Sequence, residues 1–257
     1  MILASDLDGT LLQNNTDNMI SRKDIDSIRR FRAAGNQFGL VTGRSPKLIA
    51  NIFRKNPDLE CDFNIFCTGA LVLDSKGSTL YEQPLPFHTV EQIIQRADEV
   101  KADHLLLCDK SSSYAARLGE SWFDEIEFFW GREFLDFSPD KIYLHKKILT
   151  ILLGFEDIPL CEKIYRQLKK EFSGQASFFY NMGGIDICAD GVNKSRGLSI
   201  IEKYINGKIY TVGDGENDVD MLRTYQGFAI ANGCESAKLA ANQIVCNVAD
   251  AIDILIN

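Results

Sequence analysis

The chain has 257 residues, 45% hydrophobic and 25% charged, with 28 Lys and Arg against 36 Asp and Glu for a net charge of −8. These are globular proportions, and they exclude a disordered, collagen-like or coiled-coil chain. The acidic balance excludes the broad positive field of a dedicated nucleic-acid binder, so an anionic substrate would need a local cation. The opening residues, MILASDLDGT, hold no basic segment and no long apolar run, so no signal peptide is expected. The longest strongly apolar stretch, Ile148–Phe155, is far short of the roughly 20 residues that span a bilayer. A soluble cytoplasmic protein with no membrane partner is expected. Cys61, Cys67, Cys108, Cys161, Cys188, Cys234 and Cys246 form no CxxC pair and no zinc spacing, and read as reduced, mostly buried small hydrophobes.

In chain order, Ile2–Leu7 is an apolar run rather than an alternating one, the pattern of a strand buried on both faces of a parallel sheet. Ser21 is placed to cap a helix that carries Ile25, Ile28 and Phe31 on one face and stops at Gly35. Phe38–Thr42 predicts a second strand, Ser45–Lys55 a second helix ended before Pro57, and Phe63–Cys67 a third strand. Residues 70–85 predict a hairpin turning at Asp74-Ser75-Lys76-Gly77.

The middle has its own α/β pattern. Thr89–Ala102 predicts a helix whose Thr89 and Gln92 fit a capping box. Strands are expected at 104–108, 148–154, 177–180 and 185–189, with a helix over Pro159–Phe172. The aromatic cluster from Trp122 to Phe134 reads as core of this region, and Lys141, His145, Lys146 and Lys147 as a solvated face. His88, His104 and His145 have no ligand spacing and receive no role. At the far end, Ile209–Val212, Val219–Tyr225, Gly227–Ala231 and Ser236–Asn242 read as strand, helix, strand and short helix. Together these predict an α/β protein with a doubly wound, Rossmann-like parallel sheet, made of residues 1–83 and 186–257, and an inserted α/β domain at 84–185.

Asp6-Leu7-Asp8-Gly9-Thr10 is the most informative string. Two carboxylates end a buried strand, where open parallel sheets bind ligands, and residues i and i+2 of a strand point the same way. At 4 Å two such charges repel by about 4 kcal/mol at an effective dielectric of 20, so the pair needs a cation or a shared proton. The plain alternative is an Asp-Gly turn whose carboxylates cap a loop; an EF-hand lacks its ligand ladder here.

Gly213-Asp214-Gly215-Glu216-Asn217-Asp218 also follows an apolar strand directly. It is no dinucleotide fingerprint, because the third glycine falls on Asp218. Asp218 is either functional or an N-cap for the following helix. Asp214, between two glycines, adds a third carboxylate to the same sheet edge, and hard oxygen ligands with room for water point to Mg²⁺. Thr42-Gly43-Arg44 places a hydroxyl and backbone amides where a phosphate oxygen could sit. Arg44 could reach substrate or pair with an Asp. Lys194, in Gly191-Val192-Asn193-Lys194-Ser195, opens a helix; the loop lacks the glycines of a P-loop, and a solvated helix-start lysine is the plain alternative.

Taken in this order, the four strings resemble the motifs of the haloacid dehalogenase superfamily of phosphohydrolases, and the large insert resembles the type IIB α/β cap of its Cof-like sugar-phosphatase branch. The resemblance covers nearly the whole chain. It implies Asp6 as nucleophile and Asp8 as general acid/base, with Thr42, Gly43 and Lys194 as phosphate binders. It implies Mg²⁺ held by Asp6, Asp214 and the backbone carbonyl of Asp8, with Asn217 and Asp218 in support; Arg44 stays a candidate substrate contact on its own chemistry. The chain departs from the pattern at Thr68-Gly69, where many relatives carry Asn-Gly, and at Asp190, where proline is common.

The activity so implied is Mg²⁺-dependent hydrolysis of a small phosphorylated metabolite through an aspartyl-phosphate. A phosphomannomutase-like phosphoryl transferase is the first rival and an idle phosphate-binding module the second. A redox enzyme with a nucleotide cofactor lacks its glycine fingerprint.

Overall fold

A computed structural model of the protein describes residues 1–13, 18–119, 136–137, 146–181 and 183–256. The cluster Trp122–Phe134, Lys141 and His145 lie outside the described residues. The chain forms two compact units: residues 1–42, 52–81 and 193–257, and residues 43–51 with 82–192.

The first unit is built on an eight-stranded sheet. Its strands are β1 (Ile2–Ser5), β2 (Gln37–Val41), β3 (Phe63–Phe66), β4 (Leu71–Asp74), β5 (Thr79–Glu82), β12 (Ile209–Gly213), β13 (Gln226–Ile230) and β14 (Gln243–Val245). The order is β14-β13-β12-β1-β2-β3-β4-β5, with parallel pairing from β14 to β3 and an antiparallel β3–β4 pair. All four residues of β1 are buried, as its unbroken apolar pattern demands. Ile2, Ala4, Val41, Phe63, Ile65, Leu198, Ile201 and Met221 share one core cluster, the side chains larger than alanine each contributing about 1.5–3 kcal/mol by burial. Helix α1 (Arg22–Ala33) starts where Ser21 Oγ accepts the Asp24 amide at 3.0 Å.

The second unit holds a six-stranded sheet of order β10-β11-β9-β6-β7-β8. These are β6 (His104–Cys108), β7 (Ser113–Arg117), β8 (Asp136–Phe137), β9 (Thr150–Gly154), β10 (Ala176–Asn181) and β11 (Gly184–Ala189), antiparallel throughout save β7–β8. Helices α3 (Phe87–Glu99) and α4 (Ile158–Glu171) cover one face, where Ile93, Ala97, Cys161 and Leu168 meet Leu105, Leu107, Ile151 and Ile187. Helix α2 (Pro46–Lys55) begins in this unit, its first turn closed by Ser45 Oγ accepting from Leu48 N at 3.3 Å. The expected capping box at Thr89 is not formed. α3 starts two residues earlier, after Pro86, so Thr89 lies inside the helix with its side chain buried. Among the described residues no helix is long and apolar enough to cross a membrane.

His104, which has no ligand spacing, is a packing residue. It is fully buried, its Nδ1 accepts from Gly119 N at 3.0 Å, and a Cβ on Gly154 would come within 2.6 Å of its ring. Burial pushes its pKa down to about 4, against the opposing pull of Asp103 and Glu156. Above pH ~6.5 the ring is neutral both folded and unfolded, so it adds no pH dependence. Between pH ~6.5 and 4 the unfolded chain binds a proton that the folded chain refuses, so stability falls with acidification. The expected loss by pH 4.5 is about 2 kcal/mol. Urea unfolding of wild type and His104→Gln at pH 7 and pH 4.5 checks this: the variant should lose less on acidification, and equal losses would contradict it.

Candidate active site

The sheet order sets the site. β1 runs between β2 and β12 in parallel register, with Ser5 opposite Leu40 on one side and Val212 on the other. The three strands therefore end at one edge, where the chain continues into Asp6, Thr42 and Asp214. Such a carboxyl edge, beside the strand where connections diverge, is where open α/β sheets bind ligands.

A fourth group arrives from helix α5 (Lys194–Ile201), whose N-cap Asn193 accepts the Arg196 amide at 2.7 Å through Oδ1. Lys194, its first residue, is 0% exposed. Its ammonium donates to Asp6 Oδ1 at 2.5 Å and to Asp218 Oδ1 at 2.6 Å. Lys194 is thus no solvated helix-start lysine. Asp218 uses its other oxygen, Oδ2, to accept the amides of Asp214 (3.0 Å) and Gly215 (2.9 Å). Although it directly precedes helix α6 (Val219–Thr224), its side chain caps no amide of that helix. It holds Lys194 and the Asp214 loop instead.

Two features of the first loop bring Asp214 close. Thr10 is buried and donates its hydroxyl to Asp214 Oδ1 at 2.5 Å. Gly9 has φ +82°, and a Cβ there would lie 2.3 Å from Asp214 Oδ2. Only glycine permits both that backbone and that approach. Thr10 is thus a site residue that closes the Asp6–Thr10 pentad but is not among those expected from the sequence.

The electrostatics follow from burial. Asp6, Asp214 and Asp218 each bring a carboxylate oxygen within 4.8 Å of the others. Burial raises the Asp6 pKa well above the usual carboxylate range; Lys194 opposes this, while Asp218, Asp214 and Asp8 push it further up. Burial likewise raises Asp214, against the Thr10 hydrogen bond. For Lys194, burial favours the neutral amine, but Asp218 and Asp6 outweigh it and hold the ammonium. One ammonium therefore faces several carboxylates, and the excess of hard oxygen donors suits a divalent cation such as Mg²⁺.

The remaining predicted residues are placed as follows. Asp8 is half-buried in the turn, in a bridge with Leu12. Thr42 is buried; its amide donates to Ile65 O at 2.9 Å and its carbonyl accepts from Thr68 N at 3.0 Å. Asn217 is half-buried with its amide oxygen beside Gly215, where a Cβ would meet it at 2.8 Å. Gly43 and Arg44 group with the second unit.

A family model for haloacid dehalogenase-like hydrolases matches residues 3–252. The 5-amino-6-(5-phospho-D-ribitylamino)uracil phosphatase YbjI of Escherichia coli K12 is 24% identical over 249 residues, covering 93% of this chain and 88% of that protein. A haloacid dehalogenase-like hydrolase from B. subtilis superposes with TM-score 0.85 at 18% identity, covering 99% of each chain. The subclass IIB sugar phosphatase BT4131 superposes with TM-score 0.84 at 18% identity, covering 99% of this chain and 98% of that one. At these identities the structural likenesses speak to the fold.

Proposed function

This chain belongs to the haloacid dehalogenase-like hydrolase family, and on that premise we propose that it hydrolyses phosphomonoesters of small metabolites, sugar phosphates among them, through an aspartyl-phosphate on Asp6. The observation that carries the reading is the buried Lys194 ammonium, 2.5 Å from an Asp6 carboxylate that burial and three neighbouring carboxylates make costly to ionise. A group this perturbed at a sheet edge is better suited to chemistry than to packing. The Escherichia coli relative, a phosphatase, agrees with it.

With Oδ1 engaged by Lys194, the other Asp6 oxygen attacks phosphorus, the phosphorus–alkoxide bond breaks, and Asp8 gives the departing oxygen its proton. Asp8 then takes a proton from water as that water attacks the phosphoenzyme, which frees phosphate and restores the Asp6 carboxylate. Lys194, Thr42 and the amide of Gly43 are assigned to the phosphoryl oxygens, where charge develops. Asp6, Asp214 and the Asp8 carbonyl would hold Mg²⁺, with Asp218 in support through Lys194 and the amides of Asp214 and Gly215. Bound there, Mg²⁺ lowers the repulsion between the attacking carboxylate and the phosphate dianion. Asn217 supports the last loop, Arg44 is a candidate substrate contact, and the inserted domain, 84–185, selects the leaving group.

Phosphate release from a panel of sugar phosphates, nucleotides and cofactor monophosphates, with Mg²⁺ and with EDTA, tests this. At least one small phosphomonoester should be turned over, with rates falling about 100-fold or more in EDTA. An isomeric sugar phosphate in place of free phosphate would make the protein a mutase instead. Turnover unaffected by EDTA would remove the metal from the account.

A further inference from the structure

The turn after β3 adopts a backbone that its residues disfavour. Cys67 and Thr68 have φ of 51° and 56°, followed by Gly69 at 111°. Two adjacent left-handed residues with side chains are uncommon, and a β-branched residue there is a true outlier. Such strain persists only where the surroundings impose it, and it gathers at functional sites.

The surroundings are identifiable. The Thr68 amide donates to the Thr42 carbonyl at 3.0 Å. Gly69 is pressed so closely on the Asn193 carbonyl that a Cβ would lie 2.2 Å from it, and Asn193 immediately precedes Lys194. Residue 68 is therefore fixed between the ends of two segments, one carrying Thr42 and the other Lys194. The Thr68 side chain is fully buried, and its hydroxyl has no hydrogen-bond partner among the described residues. A buried hydroxyl with no partner is destabilising, so a strained turn that holds one in place calls for a ligand.

We propose that the Thr68 hydroxyl contacts the substrate, donating a hydrogen bond to a phosphoryl oxygen bound between Thr42 and Lys194. The assignment rests on the phosphatase reading above. It explains why the turn tolerates its backbone: the conformation sets a third donor beside the other two. A donor to a charged oxygen at the reacting group is worth about 10- to 100-fold in rate.

Thr68→Val keeps the β-branched shape and the backbone while removing only the hydroxyl. In the full-length protein with Mg²⁺, kcat/KM for the best substrate of the panel should fall about 10- to 100-fold. Inhibition by inorganic phosphate should weaken by a similar factor. The thermal midpoint without phosphate should stay level or rise, because a buried unpartnered polar group has gone. Thr68→Ser should recover activity to within about 3-fold, since its hydroxyl can reach the same oxygen. Should Thr68→Val not fold, Thr68→Ala set against Thr68→Ser gives the same comparison. Wild-type turnover and phosphate inhibition in Thr68→Val would overturn the proposal. So would a loss matched by a lowered midpoint and not restored by Ser, which would make the residue structural. Asp6→Asn separates the two levels: if it stays active the phosphatase reading fails, and if it is inactive while Thr68→Val is normal only the assignment of Thr68 fails.

Discussion

Replacing Lys194 with methionine should destabilise the metal-free protein by about 3–5 kcal/mol and abolish turnover. The two side chains are alike in volume, so the effect is electrostatic. In the native structure the ammonium is wholly buried and bonded to Asp6 and Asp218. Its removal leaves those carboxylates with no opposite charge in a site that already raises Asp6 and Asp214 by burial. The pH dependence gives a second signature. Without Lys194 the folded-state carboxylate pKa values rise further above their unfolded values, so the folded state binds more protons and stability declines as pH increases. The deficit relative to wild type should therefore be smallest near pH 4 and largest at neutral pH. Denaturant unfolding of both proteins from pH 4 to 8 measures it. A deficit below ~1 kcal/mol at pH 7 would show that the ammonium is not buried among carboxylates.

Asp6→Asn should act in the opposite sense on stability while also removing the chemistry. Asparagine keeps the shape and the Oδ1 acceptor for Lys194 but cannot form the acyl-phosphate. The loss in kcat should be at least about 10⁴-fold, as for removal of a nucleophile that acts as one unit with its partners. Because burial and the neighbouring carboxylates make the Asp6 charge costly, the neutral variant should unfold at the same or a higher temperature without metal. Activity lost through misfolding would instead be accompanied by a lowered midpoint.

Much of the framework is legible in the sequence because its central strands are buried on both faces. β1, β2, β3 and β12 stand out as apolar runs, and β1, β2 and β12 each end at a polar string that the parallel order then gathers to one edge. Other elements have weaker patterns. β14 is three residues long with Gln243 and Ile244 exposed, and β7, Ser-Tyr-Ala-Ala-Arg, is poor in β-branched residues. Helix α8 (Val248–Ile256) opens at Asn247, whose Oδ1 accepts the Asp250 amide at 2.9 Å, and its start is further tied by the Ala249 amide to Asp24, a partner remote in sequence. The Thr89 pattern fails because a local cap competes with burial of that side chain, and burial wins.

The site divides in the same way. Asp6, Asp8 and Asp214 are visible as carboxylates at strand ends. The burial of Lys194 is not, because it depends on Asp6, 188 residues away, and on Asp218, 24 residues away. Thr10 and Thr68 gain a role only in space, Thr10 through its bond to Asp214 and Thr68 through the lack of a partner for its hydroxyl among the described residues.

In the proposed mechanism Asp6 carries the phosphoryl group. Rapid acid quench of wild type during turnover of a ³²P-labelled substrate, followed by peptide mapping, tests it most directly. Transient, hydroxylamine-labile label is expected on the peptide containing Asp6, and none in Asp6→Asn. Turnover with no labelled protein, or label on any other residue, would contradict it.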